Sequence, residues 1–158
     1  MMKAFGKLVC SICVCLATGL LGSITTVESV STWYADLSKP SFNPPAWAFG
    51  VVWPILYVLM GISAFLIWNK GIGSKQVKVA LALFVIQLLL NGVWSPIFFG
   101  LHMIDLALAE IILLWVVIIM TILAFWRISR MAGCLLLPYI LWVSFAVVLN
   151  AALWHLNR

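Results

Sequence analysis

A chain of 158 residues that is 66% hydrophobic and only 8% charged, with a mean hydropathy of +1.21, has too little polar surface to coat a water-soluble globule. Its net charge of +5 comes from residues that flank apolar blocks, not from one clustered basic face, which excludes a nucleic-acid-binding domain. The composition is that of an all-α integral membrane protein with no soluble domain left over.

A hydrocarbon core of roughly 30 Å takes about 20 apolar residues per helix, and the charged residues cut the sequence at about that interval. Five spans are predicted, over residues 8–27, 44–68, 79–101, 105–126 and 132–154, as one five-helix transmembrane bundle over residues 1–158 with a single sizeable outer loop at 28–43. The basic start of the first span invites a signal-peptide reading, but the apolar region is long and no small-residue cleavage site precedes Trp33. Cys10 lacks the neighbours of a lipobox. Cys10, Cys13 and Cys15 do not share a helix face with any His or carboxylate, and are expected as small buried residues with no metal.

The loop carries Trp33, Tyr34, Asp36, Lys39, Pro40, Phe42 and Asn43. Trp33 and Tyr34 suit both an interfacial aromatic belt and a lid over the bundle's outer mouth. Asn43 before Pro44 and Pro45 reads as a helix N-cap with prolines in the first turn. In the second span Trp53 and Tyr57 are one turn apart, with Gly50 and Gly61 on the same face. Pro54 removes the hydrogen bond to Gly50, and Pro96 in the third span does the same to Gly92. Two kinked helices bow apart, so a cavity is expected between the second and third spans.

Gln87, Asn91, Trp94 or Ser95, and Phe98 recur at spacings of three and four on one face of the third span. Amides at that depth turn inward, either to bond neighbouring helices or to meet a ligand. The fourth span reads as scaffold, with Trp115 and Trp126 toward lipid or headgroups, Asp105 at the positive helix end, and Glu110 within reach of the interface or a polar partner. In the fifth span Tyr139, Trp142, Ala146 and Asn150 share a face, with the small Ala146 leaving a shallow recess. His102 and His155 lie at span ends without partners for metal or acid–base chemistry. Aromatic walls, a few amides and no buried charge describe a site for a planar, mostly apolar molecule.

Lys3, Lys7, Lys70, Lys75, Lys78, Arg127 and Arg130 fall on one side of the five-span arrangement, and only Lys39 and Arg158 on the other. In a bacterial cell membrane that places the N-terminus in the cytoplasm.

The sequence of residues 33–47, then Trp53, Tyr57, Gln87, Asn91, the string Trp94-Ser95-Pro96-Ile97-Phe98-Phe99-Gly100, and finally Pro138, Tyr139, Trp142 and Asn150, resembles the tryptophan-rich sensory protein family, called translocator protein or peripheral-type benzodiazepine receptor in mitochondria. The resemblance implies a five-helix bundle, commonly a homodimer, in a bacterial cell membrane or a mitochondrial outer membrane. It also implies ligands: protoporphyrin IX and haem, isoquinoline carboxamide and benzodiazepine drugs, and cholesterol in animal members. Neither tetrapyrrole is an obligatory cofactor. By position the family pocket falls on Trp53, Asn91, Trp94, Trp142, Ala146 and Leu149, with Tyr34 from the loop. Ala151 and Ala152 stand where animal members carry a Tyr in a proposed sterol motif, so this chain departs from that motif.

Three functions follow from different classes: a tetrapyrrole-binding sensor or translocator, with Lys39 pairing propionates; an enzyme degrading protoporphyrin IX in light and oxygen; or a regulatory membrane partner whose aromatics merely pack. In the second, Trp53 and Trp142 occupy the positions that the resemblance implicates. Chemistry would then come from the excited porphyrin and tryptophan radicals, because the sequence offers no acid–base pair or nucleophile.

Overall fold

The computed structural model describes residues 2–158; the side chains of Met2 and Glu28 are not among those described, so the charge expected to flank the outer end of the first span lies outside the described residues. Its helices are α1 (Met2–Val30), α2 (Trp33–Asp36), α3 (Ala46–Trp68), α4 (Lys75–Ser95), α5 (Ile104–Ile128), α6 (Arg130–Leu135) and α7 (Leu137–Leu156), with a π-helical turn at Pro96–Gly100 continuing α4. Five stretches are long and apolar enough to cross a membrane: Lys3–Val27, Ala46–Trp68, Lys75–Gly100, Ile104–Ile128 and Arg130–Leu156. The all-α five-helix bundle is therefore as the hydropathy pattern requires, with ends shifted by a few residues.

Around the bundle, α1 packs on α3, α3 on α6 and more sparingly α7, α7 on α5, α5 on α4, and α4 back on α1. Small residues set the closest approaches. A Cβ on Gly61 would lie 2.6 Å from the Ile12 Cα, and one on Gly19 would lie 2.3 Å from the Tyr57 ring, so α1 and α3 touch at backbone distance. Gly71, at φ +94°, makes the turn from α3 into α4 in a conformation that side chains disfavour. Ser74 then caps α4 by accepting the Gln76 N–H.

Several local expectations change. Asn43 does not cap the second span: α3 starts at Ala46 after an extended Pro45, and the Asn43 side chain instead accepts the Tyr34 hydroxyl at 2.8 Å and donates to the Pro44 carbonyl. Two prolines in succession hold the chain extended, so the helix begins only after both. The fifth span is not one helix. Pro138 has no N–H for the Cys134 carbonyl four residues back, and the helix breaks at Leu136 between α6 and α7. Ser63 of α3 caps the first piece by donating to the Ala132 carbonyl at 2.7 Å. Pro54 stays inside an unbroken α3, whereas at Pro96 the backbone widens into the π turn, closed by Leu101 N–H to the Pro96 carbonyl at 2.9 Å.

The cavity expected between the second and third spans is closed. Tyr57 donates to Asn91 across that seam at 2.6 Å, and α1 fills the rest, with Gly22 against Ser95 and Thr18 against Gly92. Gly61 and Tyr57 thus face α1 rather than a hollow. Cys15 is buried, but Cys10 and Cys13 are exposed on the outward face of α1, because few other helices cover it. Trp115 does not look only to lipid: its indole N–H donates to Ser144 of α7 at 2.8 Å, while Trp126 remains 41% exposed. Glu110 gains no polar partner; both carboxyl oxygens are enclosed without a hydrogen bond, since α5 starts at Ile104 and carries it about 9 Å inside the helix end.

Candidate functional site

Two groups of side chains meet inside the bundle, one at mid-depth and one under the outer loop. The first is a polar chain through the middle of the interior. Tyr57 of α3 donates to the Asn91 carbonyl oxygen, the Asn91 amide donates to the Tyr139 hydroxyl at 3.1 Å, and Tyr139 donates to the Gln87 carbonyl oxygen at 2.9 Å. Tyr139, Gln87, Asn91 and Tyr57 are all buried. Each hydroxyl proton is used, and the one group left over is Gln87 Nε2, a buried donor without an acceptor. Asn150, also buried, accepts the Trp94 indole N–H at 3.3 Å and donates to the Ile104 carbonyl at 3.0 Å, tying α7 to α4 and to the start of α5.

The second group is aromatic. Trp94 stacks on Phe98 at 4.9 Å, and Trp33 and Tyr34 of α2 lie against Phe98 from above, Tyr34 reaching Phe99 as well. Leu149 packs into this cluster with Phe98, Phe99 and Ala107. Across the bundle, Trp142 meets Phe49 of α3 at 5.8 Å and Phe145 at 5.7 Å, and Phe42 of the loop caps Phe145 edge-on. Trp53 stacks on Tyr57 and meets the Tyr139 edge, joining the aromatic group to the polar chain. The Trp142 Nε1 is buried with no acceptor. Ala146, half-buried one turn above Trp142, packs against the main core.

A groove of about 450 Å³ opens between α3 and α7, lined by Val52, Ile55, Leu56, Leu59, Pro138, Leu141, Trp142 and Phe145. The break at Leu136 explains it: α6 stays on α3, and α7 leaves α3 after the break. Of the residues singled out by spacing, Trp142 alone borders this groove among the described residues.

The loop is fastened as a cover. Tyr34 is held by Asn43, and burial raises its phenol above the ordinary value against the opposing effect of that hydrogen bond. Lys39 does not stand free to pair an anion: its ammonium donates to the Ala35 and Leu37 carbonyls and lies 5.0 Å from the Tyr34 ring. His102 gains a partner, stacking on Trp33 at 4.2 Å with Nε2 3.5 Å from the Ser29 hydroxyl. It sits at φ +58° where the π turn hands over to α5.

Sequence reasoning missed Phe49 and Phe145 on the aromatic wall, although each lies one turn from a residue it singled out, Trp53 and Trp142 respectively. It also missed Asn157, whose amide grips the loop main chain at Ser38.

Five apolar helices whose amides and indoles turn inward beneath the outer loop define a multi-pass membrane protein with an aromatic cluster in its interior. The TspO/MBR family model matches residues 11–155. The chain is 46% identical over 143 residues to the tryptophan-rich protein TspO of Chlorobaculum tepidum, covering 90% of each, and 45% identical over 152 residues to that of Archaeoglobus fulgidus, covering 96% of this chain and 97% of the relative. It is also similar to the translocator protein of Bos taurus, 38% identical over 141 residues, covering 89% of this chain and 83% of the relative. The chain belongs to the TspO/MBR family.

Proposed function

We propose that this protein binds tetrapyrroles such as protoporphyrin IX or haem, and other planar, mostly apolar molecules, among the aromatic side chains under its outer loop, and acts as a membrane sensor or translocator for them. The observation that supports this reading is the convergence of Trp33, Tyr34 and Phe42 from the loop, Phe49 and Trp53 from α3, Trp94 and Phe98 from the third span, and Trp142 and Phe145 from α7. Rings stack on a macrocycle with little loss of side-chain freedom. The unmatched donor Trp142 Nε1, on a residue that borders the α3–α7 groove, offers a hydrogen bond to an acceptor. The open α3–α7 groove, about 450 Å³, borders the aromatic wall at Trp142 and Phe145. Propionates belong at the outer mouth, in water or headgroups, because Lys39 is already engaged.

On this reading isoquinoline carboxamides and benzodiazepines compete for the same space. A homodimer, a cytoplasmic N-terminus in a bacterial membrane, or residence in a mitochondrial outer membrane belong to the same proposal. Titration of protoporphyrin IX into the solubilised protein should quench tryptophan fluorescence to saturation; quenching that rises without limit contradicts the reading.

A second reading, light- and oxygen-dependent degradation of protoporphyrin IX, has one observation in its favour. Trp53 lies between two phenols, at ring separations of 5.5 Å from Tyr57 and 6.4 Å from Tyr139, so that an oxidising equivalent passed from the excited porphyrin to the indole can be shared with either tyrosine. Illumination of the complex in air separates the readings. Bleaching faster than for free porphyrin, slowed in Trp53→Phe, supports the enzyme; bleaching at the free rate excludes it.

A further inference from the structure

Asn157, at the end of α7, makes a two-way contact with the outer loop: the Ser38 N–H donates to its Oδ1 at 2.9 Å, and its Nδ2 donates to the Ser38 carbonyl, also at 2.9 Å. The pairing copies a bridge between two strands, an amide side chain standing in for a peptide group. The same Nδ2 reaches the Leu153 carbonyl at 2.7 Å, which fixes the side chain's direction at the helix end. The two halves of the loop are held differently. Residues 33–36 rest on Phe98, Phe99 and His102 through Trp33 and Tyr34. Residues 38–45 run from the end of α7 to the start of α3, and so span the outer end of the α3–α7 groove that the break at Leu136 leaves open. To α7 this strap is tied by the Asn157 pair and by the edge of Phe42 on Phe145, with Phe42 itself 47% exposed.

We propose that Asn157 is a latch: its two hydrogen bonds to Ser38 hold the strap closed over the α3–α7 seam and set how often the outer end opens to admit or release a ligand. Exposed hydrogen bonds between neutral groups are weak enough net to break often, and strong enough together to change an opening equilibrium about ten-fold. Among the described residues the hydrogen bonds of Asn157 go to Ser38 and Leu153, not to the aromatic wall, so it acts on the rate of passage and leaves affinity alone. That kinetic half of the inference rests on the tetrapyrrole reading above; the opening half does not.

Hydrogen exchange by mass spectrometry on the full chain in nanodiscs, without ligand, tests the latch itself. Asn157→Ala should speed exchange of residues 38–43 about ten-fold, and Asn157→Asp, which keeps the acceptor for the Ser38 N–H but loses the donor, should speed it less. No change at 38–43, or a change confined to residues 153–157 as a helix-end role alone would give, overturns the proposal. Stopped-flow binding of protoporphyrin IX then tests passage: association and dissociation should quicken by the same factor in Asn157→Ala, with the Kd within about two-fold. Unchanged rates despite faster exchange would overturn the gating role. Faster exchange in a chain that never binds protoporphyrin IX would leave the latch standing and remove the tetrapyrrole reading instead.

Discussion

The face of α3 that meets α1 and α4 and the face that meets α7 draw on the same apolar composition, yet one is sealed and the other parts. Toward α1 and α4, glycine contacts bring backbones together, and Tyr57 bonds to Asn91 across the seam. Toward α7, the break before Pro138 turns the helix away, large side chains face each other, and a groove remains. Close approach in a membrane needs small residues or polar bonds, since lipid tails solvate Leu as well as another helix does. The seam without them is the one that opens.

Substitutions that attack the sealed face should have the largest effects. Gly61→Ala puts a methyl group 2.6 Å from the Ile12 Cα, where only backbone movement can relieve it. It should cost about 1–3 kcal/mol, visible as a fall of several degrees in thermal unfolding in detergent. Tyr139→Phe removes the acceptor of Asn91 and the donor to Gln87 in one step. At about 0.6 kcal/mol per hydrogen bond in membranes, with further cost for stranded partners, a loss of roughly 1–2 kcal/mol is expected in the same assay. On the open face, Leu141→Ala trims a side chain that is 70% exposed and should shift stability by less than about 0.5 kcal/mol. A cost there as large as that of Gly61→Ala would erase the contrast between the two seams.

The smallest effect concerns pH. Burial raises the Tyr34 phenol, so its protonated form is favoured in the folded loop. The resulting contribution is complete below the unfolded value of about 10 and declines as pH rises through the folded value. Exchange protection of residues 38–43 should therefore stay level from neutral pH to about 9 and fall only in stronger base. A loss of protection between pH 5 and 8 would point to another group.

Span number and the inward faces of the second, third and fifth spans were legible in the sequence because both follow from hydropathy and from spacings of three and four, whereas the exposure of Cys10 and Cys13 and the inward bond of Trp115 were not. Gln87, Asn91, Tyr139 and Asn150 are buried and bonded as amides and phenols at membrane depth must be. Partners were not legible. Nothing in the sequence says that Asn91 would meet Tyr57 and Tyr139 rather than a ligand, or that Pro138 would break its helix while Pro54 would not break α3. Those outcomes depend on which helix lies opposite. Asn43 failed as a cap for a local reason, two prolines in extended conformation, and Asn157 escaped notice because its partner lies in a loop without periodicity.

On the proposed function, the aromatic groups beneath the loop, and not tryptophans in general, hold a planar ligand. The direct measurement is the protoporphyrin IX affinity of Trp142→Phe beside that of Trp126→Phe, whose indole faces outward. Binding should weaken by about five-fold or more in the first, equal to roughly 1 kcal/mol, with an unchanged Kd in the second. Equal losses at both positions, or none at Trp142, would contradict it.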